Sequence, residues 1–406
     1  MKTKLLLCIS LIASGLFVKA QWTNQNSGVT NDLRTIYFLD NNNGFAAGNG
    51  GVLRRTINGG TNWSAVVSTT TWDIYGMHFP TASVGYLCAR NGTVVKTTNG
   101  GTSWTNSPTP ITNDLLAIYF MDANTGIAVG RGGAMIGTVN GGSNWTSLTS
   151  GTTQDLYSVW FTSSTTGYAC GTNGTFLKTT NAGLTWTPQT SGLPNDTLKS
   201  LYFTSPTMGF VTASGGNVLT TDGAGVFTSI NPPTTKSVND SWWINDSTGW
   251  VVGDSGNIFT TQDTGITWTQ QTSLTTQRLY AVCFPTDTVG YACGKGGIIR
   301  KLIVVSPGPN PGFGEIPKNN LSIHAYPNPA TQGNYLTVTF EGKPGTETVI
   351  TMLDLMGKEV YSGQPVKTTS GKNQVRIPIG ADISSGSYFL KVKSGNEVNY
   401  KKVQIQ

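Results

Sequence analysis

Tryptophan returns every 41 residues along this chain: Trp22, Trp63, Trp104, Trp145, Trp186 and Trp268, with Phe227 filling the remaining place in the series. Two further markers keep the same phase. Gly44, Gly85, Gly126, Gly167, Gly209, Gly249 and Gly290 recur within a residue of that spacing, and an aromatic (Phe38, Phe79, Phe120, Phe161, Phe203, Trp243, Phe284) stands six residues before each. A period of this size means a stacked or circular repeat rather than one irregular core. Each unit holds four short β-prone runs. In the first these are Leu33–Phe38, Gly44–Gly48, residues 52–56 and a run from Trp63, here named strands A to D, with Asn- and Gly-rich turns between them. Four antiparallel strands per unit of 40–45 residues is the signature of a β-propeller blade.

The expectation is therefore an all-β, seven-bladed β-propeller over residues 21–305. The seventh unit has strands A to C (279–284, 291–293, 298–301) but no Trp 41 residues after Trp268. Trp22 has no strands A to C before it. The N-terminal strand is thus expected to become strand D of the last blade, which removes the open sheet edges of an unclosed ring.

Charge narrows the function classes. The whole chain carries +6, but residues 21–305 carry 13 basic and 13 acidic side chains and no Glu. A neutral body with no basic patch argues against nucleic acid as partner. Residues 1–20 read as a signal peptide: Lys2 and Lys4, a short apolar run over 5–18, and small residues before a cleavage site after Ala20. That run is too short to span a bilayer, so the expectation is an exported protein with no transmembrane segment, secreted or at the cell surface by way of the periplasm. No Cys-x-x-Cys or His-x-x-x-His occurs, so neither a metal nor a cofactor is expected.

The links between strands C and D read TINGGTNW, TTNGGTSW, TVNGGSNW, TTNAGLTW, TTDGAGVF and TQDTGITW. They resemble the Asp-box of BNR-like propellers, with Asn58, Asn99, Asn140, Asn181, Asp222 and Asp263 at the Asx position. That position suits a side chain accepting backbone N–H groups across a turn. With the TGxxxG element before them, the units most resemble the photosystem II assembly and stability factor-like repeats. Asp-boxes also occur in sialidases, but the resemblance stops there, because the absence of Glu from the propeller leaves no Tyr/Glu nucleophile pair.

Residues 306–320, SPGPNPGFGEIPKNN, read as a Pro/Gly-rich linker. Residues 321–406 then lose the period and show alternating runs expected of a small β-sandwich. Tyr326, Pro327, Asn328 and Pro329, then Asp354–Lys358, then Gly386–Phe389 with Tyr388 among them, before a Lys-rich end at Lys401 and Lys402, resemble the type A C-terminal sorting domain of the Bacteroidetes type IX secretion system. The resemblance implies the type IX machinery as a partner through residues 321–406.

Candidate site residues follow from the repeat. If strands run outward from A to D, the B–C turns ring the channel mouth with Asn49, Arg90, Arg131, Thr172, Ser214, Asp254 and Lys295. These vary between regular neighbours, and Trp72, Lys199 and Arg278 lie beside them. Asp240 stands where the other strands A carry Thr35, Gly76, Ala117, Ser158, Ser200 and Ala281, a lone acid in the channel. Arg90, Arg131, Asp254, Lys295, Trp72 and Asp240 are the expected ligand-binding residues, and none is expected to be catalytic. The function these features suggest is non-catalytic binding of an extracellular protein or glycan. The alternative is a surface glycoside hydrolase of the Asp-box type, using paired carboxylates. Cys88, Cys170 and Cys293 share one strand-B position, and a Cys283–Cys293 disulfide depends on the pairing register.

Overall fold

The structure, a computed structural model, describes residues 21–303 and, of the C-terminal part, residues 323–326, 330–341, 344–353, 359–370, 372–380, 383–384, 386–395 and 397–405. Residues 1–20, on which the expected signal peptide falls, residues 306–320, on which the expected linker falls, and Pro327, Asn328, Pro329 and residues 354–358 of the sorting motif lie outside the described residues. The chain divides into two compact units, one up to Pro307 and one from Gly308.

The N-terminal unit contains seven four-stranded antiparallel sheets, each made of strands consecutive in the chain except one. That sheet joins Leu279–Thr286, Val289–Gly294 and Ile299–Ile303 to Gln21–Gln25, with Trp22 opposite Leu302. The first strands of successive sheets lie side by side around a full circle, Leu279–Thr286 next to Leu33–Phe38. This is a propeller around a central channel. Second strands such as Gly44–Gly48 and Gly126–Gly130 are buried at every residue. Fourth strands are short, Ser64–Ala65 in the first blade, which limits the edge offered to other chains.

In five of the six Asp-boxes both the Thr and the Asx side chain grip the turn as their types require, whereas in the Asp222 copy the Thr220 hydroxyl donates to the Thr228 carbonyl instead. The Thr56 hydroxyl accepts the Gly60 N–H at 2.8 Å, and Asn58 Oδ1 accepts the Asn62 N–H at 3.0 Å. Asp263 repeats this with the Thr267 N–H at 2.8 Å. The turn thus fixed delivers Trp63 edge-on against Phe38, centroids 6.0 Å apart. Successive blades are also locked across their faces. The Tyr86 hydroxyl and the Lys96 ammonium both donate to the Gly141 carbonyl, while Tyr86 stacks on Phe120. Tyr168 and Lys178 do the same to Gly223, and Tyr291 and Lys301 to Gly59. The seam between the seventh and first blades therefore carries the same lock as two others.

All four cysteines of the propeller are buried and free. The register sets Cys283 opposite Tyr291 and Cys293 opposite Ala281, so the two are diagonal rather than paired. Diagonal neighbours lie about 7–8 Å apart, beyond the ~4.4–6.8 Å Cα separation of a disulfide.

The C-terminal unit has a three-stranded sheet around Tyr335–Glu341 and a five-stranded sheet around Glu347–Leu353 and Gly386–Ser394. Leu336, Val338 and Ile377 of the first share one core with Met352, Leu390 and Val403 of the second. Tyr388 lies in that core and donates its hydroxyl to the Ser384 carbonyl at 2.7 Å. Tyr326, by contrast, is exposed.

Candidate functional site

One face of the propeller is built from the B–C turns and the D–A loops, and a repeated contact holds them together. The Ser68 hydroxyl donates to the Gly51 carbonyl at 2.6 Å, and Ser150 and Ser191 repeat this to Gly133 and Gly174. Gly51 has φ 71°, and a Cβ there would meet the Thr70 carbonyl at 2.0 Å. Only glycine allows the loop to cross the turn so closely.

The turns are braced by the next blade. Asp73 Oδ1 accepts the Gly50 N–H at 2.7 Å, Asp114 accepts that of Asn91, Asp155 that of Gly132, and Asp32 that of Gly296. These acids are thereby committed to backbone N–H groups. The turn side chains are drawn into the same network. Arg131 lies between Asp114 and Asp155, 3.2 Å from each. At the sixth blade the polarity is reversed: the turn supplies Asp254 and the following blade supplies Arg278, 2.6 Å apart. Arg131 and Asp254 are thus partners of structural charges. Arg90 lies over the Trp72 ring, 5.7 Å from its centroid, and Trp72 is exposed. Lys295 makes no ion pair among the described residues.

The channel mouth contains residues that, Lys199 apart, the repeat comparison did not single out. Every first strand carries a β-bulge near its start, for instance between Leu33 and Thr35, and between Leu156 and Ser158. A bulge leaves one residue unpaired and re-aims its side chain. Those residues are Arg34, Tyr75, Leu116, Tyr157, Lys199, Asn239 and Tyr280, and all seven line the channel. The Arg34 guanidinium lies 4.4 Å above the Tyr280 ring centroid, and the Lys199 ammonium 4.9 Å above that of Tyr157. Burial pushes the Lys199 pKa down, and Arg278 adds to the effect. The result is a shallow ring of phenol faces and cations.

Asp240 sits one residue deeper. Its Oδ1 accepts the Ser200 hydroxyl at 2.6 Å and its Oδ2 accepts the Val282 N–H at 2.9 Å, tying the fifth, sixth and seventh blades together. The carboxyl still touches the narrow lumen, but protein surrounds it. That desolvation pushes its pKa up to about 6, against opposing hydrogen bonds from Ser200 and the Val282 and Ser241 backbone. The folded protein thus retains a proton between about pH 4 and 6 that the unfolded chain has released. This group's contribution to stability is full at low pH and falls as pH rises through about 6. Asp240→Asn keeps the shape, and its amide can donate to Ser200 while accepting from Val282. The variant is expected to be about 1–3 kcal/mol more stable than the parent at pH 8. The gap should shrink toward pH 4.5. Urea melts at the two pH values check this, and a gap that is constant or reversed contradicts it.

The chain matches the family model of the photosynthesis system II assembly factor YCF48 over residues 56–153 and 197–303. Residues 324–406 match a secretion system C-terminal sorting domain. No curated protein matches. Among solved structures, YCF48 bound to D1 peptide superposes with TM-score 0.60 at 19% identity, covering 70% of this chain and 96% of that one. YCF48 from Cyanidioschyzon merolae gives 0.60 at 20% identity, covering 70% and 99%. The GH74 xyloglucanase from Xanthomonas campestris gives 0.58 at 12% identity, covering 79% of this chain and 59% of that chain. At these identities the solved structures speak to the fold alone.

Proposed function

Since the chain belongs to the photosynthesis system II assembly factor YCF48 family and ends in a secretion-system sorting domain, we propose that it is an exported, non-catalytic binding protein. In this reading residues 1–20 are a signal peptide cleaved after Ala20. Residues 21–305 form a seven-bladed ring closed by the N-terminal strand. A linker over 306–320 leads to a β-sandwich sorting domain over 321–406 that the type IX machinery recognises. The pairing of Gln21–Gln25 with Ile299–Ile303 supports the closure, and the core shared by the two C-terminal sheets supports the sandwich.

The observation that carries the binding reading is the composition of the mouth. Tyr75, Tyr157, Tyr280 and Trp72 offer aromatic faces, Arg34, Arg90, Lys199 and Lys295 offer cations, and the neighbouring carboxylates are committed to turn N–H groups or ion pairs. Aromatic and basic side chains on a rigid rim suit recognition of a protein segment or a glycan. Hydrolysis by paired acids needs two carboxyl groups flanking a bond, and Asp240 is the carboxylate inside the channel. The xyloglucanase likeness supplies the competing reading.

The test is a glycan array and a pull-down from host surface extract with the chain from Gln21 onward. The parent is compared with Trp72→Ala/Tyr157→Ala/Lys199→Ala, and both are incubated with xyloglucan and other polysaccharides. Capture that the triple variant loses by at least tenfold supports binding at the mouth. Sugar release that Asp240→Asn abolishes would replace this reading with the hydrolase.

A further inference from the structure

The channel is chemically polarised along its length. The turn end carries Arg34 and Lys199. The opposite end carries an aromatic belt of Tyr37, His78, Tyr119, Trp160, Tyr202 and Trp242, one from each of six consecutive first strands. Neighbouring centroids lie 6.1, 4.6, 5.4, 5.0 and 5.2 Å apart, so the rings follow one another around the lumen. Cys283 holds the seventh place. The belt carries no positive charge, because burial lowers the His78 pKa to about 4, and its Nδ1 accepts the Phe120 N–H at 3.2 Å.

Asp240 lies between the belt and the mouth. Its hydrogen bonds come from neutral donors, Ser200 and Val282, and it joins no ion pair among the described residues. A carboxylate removed from bulk water without a counter-charge is costly, and proteins ordinarily pair such groups. The cavity around it is about 250 Å³ and is lined by the same belt residues. Aromatic faces attract cations, and an aromatic enclosure with one carboxylate suits a cation too weakly hydrated to prefer water. The loops at the belt end carry Asp40, Asp122 and Asp246, which favour entry of positive charge from that side. Arg34 and Lys199 oppose its entry from the other.

We propose that the belt end of the channel binds a small organic ammonium ion, its charge held between the Asp240 carboxylate and the aromatic belt that lines the same cavity. This site lies deeper in the same channel than the turn-face mouth, and it stands whether or not the mouth binds a partner. The ion fits where a hydrated metal ion does not, since one carboxylate and ring faces cannot replace a hard cation's oxygen shell.

Isothermal titration of the chain from Gln21 onward with choline chloride and with propylammonium chloride tests this, against KCl at matched ionic strength and pH 8. At least one ammonium ion is expected to bind saturably at one site per chain, with no response to KCl. Asp240→Asn should weaken binding at least tenfold, and Trp160→Leu, in the belt two blades from Asp240, should do the same. The second variant keeps the test decisive if the first fails to fold. No saturable binding by either ammonium ion, or unchanged affinity in the folded variants, overturns the proposal.

Discussion

Removing residues 21–30 is expected to abolish cooperative folding of the propeller or to lower its melting temperature by more than 15 °C. The segment supplies a full outer strand, paired over five positions with Ile299–Ile303. It also supplies Trp22, which is fully buried, meets Phe284 edge-on at 6.4 Å and donates its indole N–H to Gln271 at 2.7 Å. Its loss further strips Asn24 from the buried Arg300 guanidinium, which also bonds to the carbonyls of Ser273 and Leu274. Emptying the Trp site alone costs about 3–5 kcal/mol, a large share of the ~5–15 kcal/mol that holds a domain folded. Trp22→Ala should therefore melt roughly 10 °C below the parent on the size scaling of such domains. Differential scanning calorimetry of both variants provides the check. A truncated protein that melts with the parent would show that the strand is not part of the sheet in solution.

Removing residues 321–406 is expected to leave a folded propeller inside the cell envelope instead of outside it. The two units have separate cores, so the truncated chain should keep its melting temperature while its surface fraction falls to background. Cell fractionation with immunoblotting, paired with circular dichroism of the purified truncation, reads both quantities. Surface delivery equal to that of the full chain would refute the sorting role. A truncation that fails to fold would refute the independence of the units.

The fold was legible because its determinants repeat. An aromatic, Gly and Asx at fixed phase state the turn chemistry six times over, and the leftover Trp22 points to its own place. The mouth was less legible, for a physical reason. A regular strand alternates, yet the apolar residues of the first strand fall at Leu33, Ile36 and Phe38, with burial following that spacing. The step of three before the step of two marks the bulge that turns Arg34 into the channel, and the same spacing exposes Tyr75 and Tyr157. Comparing equivalent turn positions singled out Arg90, Arg131, Asp254 and Lys295 alike; it could not reveal the ion pairs of Arg131 and Asp254, because their partners Asp155 and Arg278 belong to the following unit. Asp240 stood out as the acid in a position otherwise held by small residues, whereas the diagonal placement of Cys283 depended on register, which no single unit reveals.

The reversed pair at Asp254 and Arg278 has a consequence for how such a ring can be recombined. Wherever a unit opens with Asp32, Asp73, Asp114 or Asp155, it presents a carboxylate to the turn before it. Placed after the sixth unit, any of these would set that carboxylate against Asp254, and the seventh unit moved elsewhere would bring Arg278 against Arg90 or Arg131. Like charges at that distance repel, so the sixth and seventh units are addressed to each other. Shuffled or circularly reordered versions of this chain should assemble well only when that junction is inherited whole.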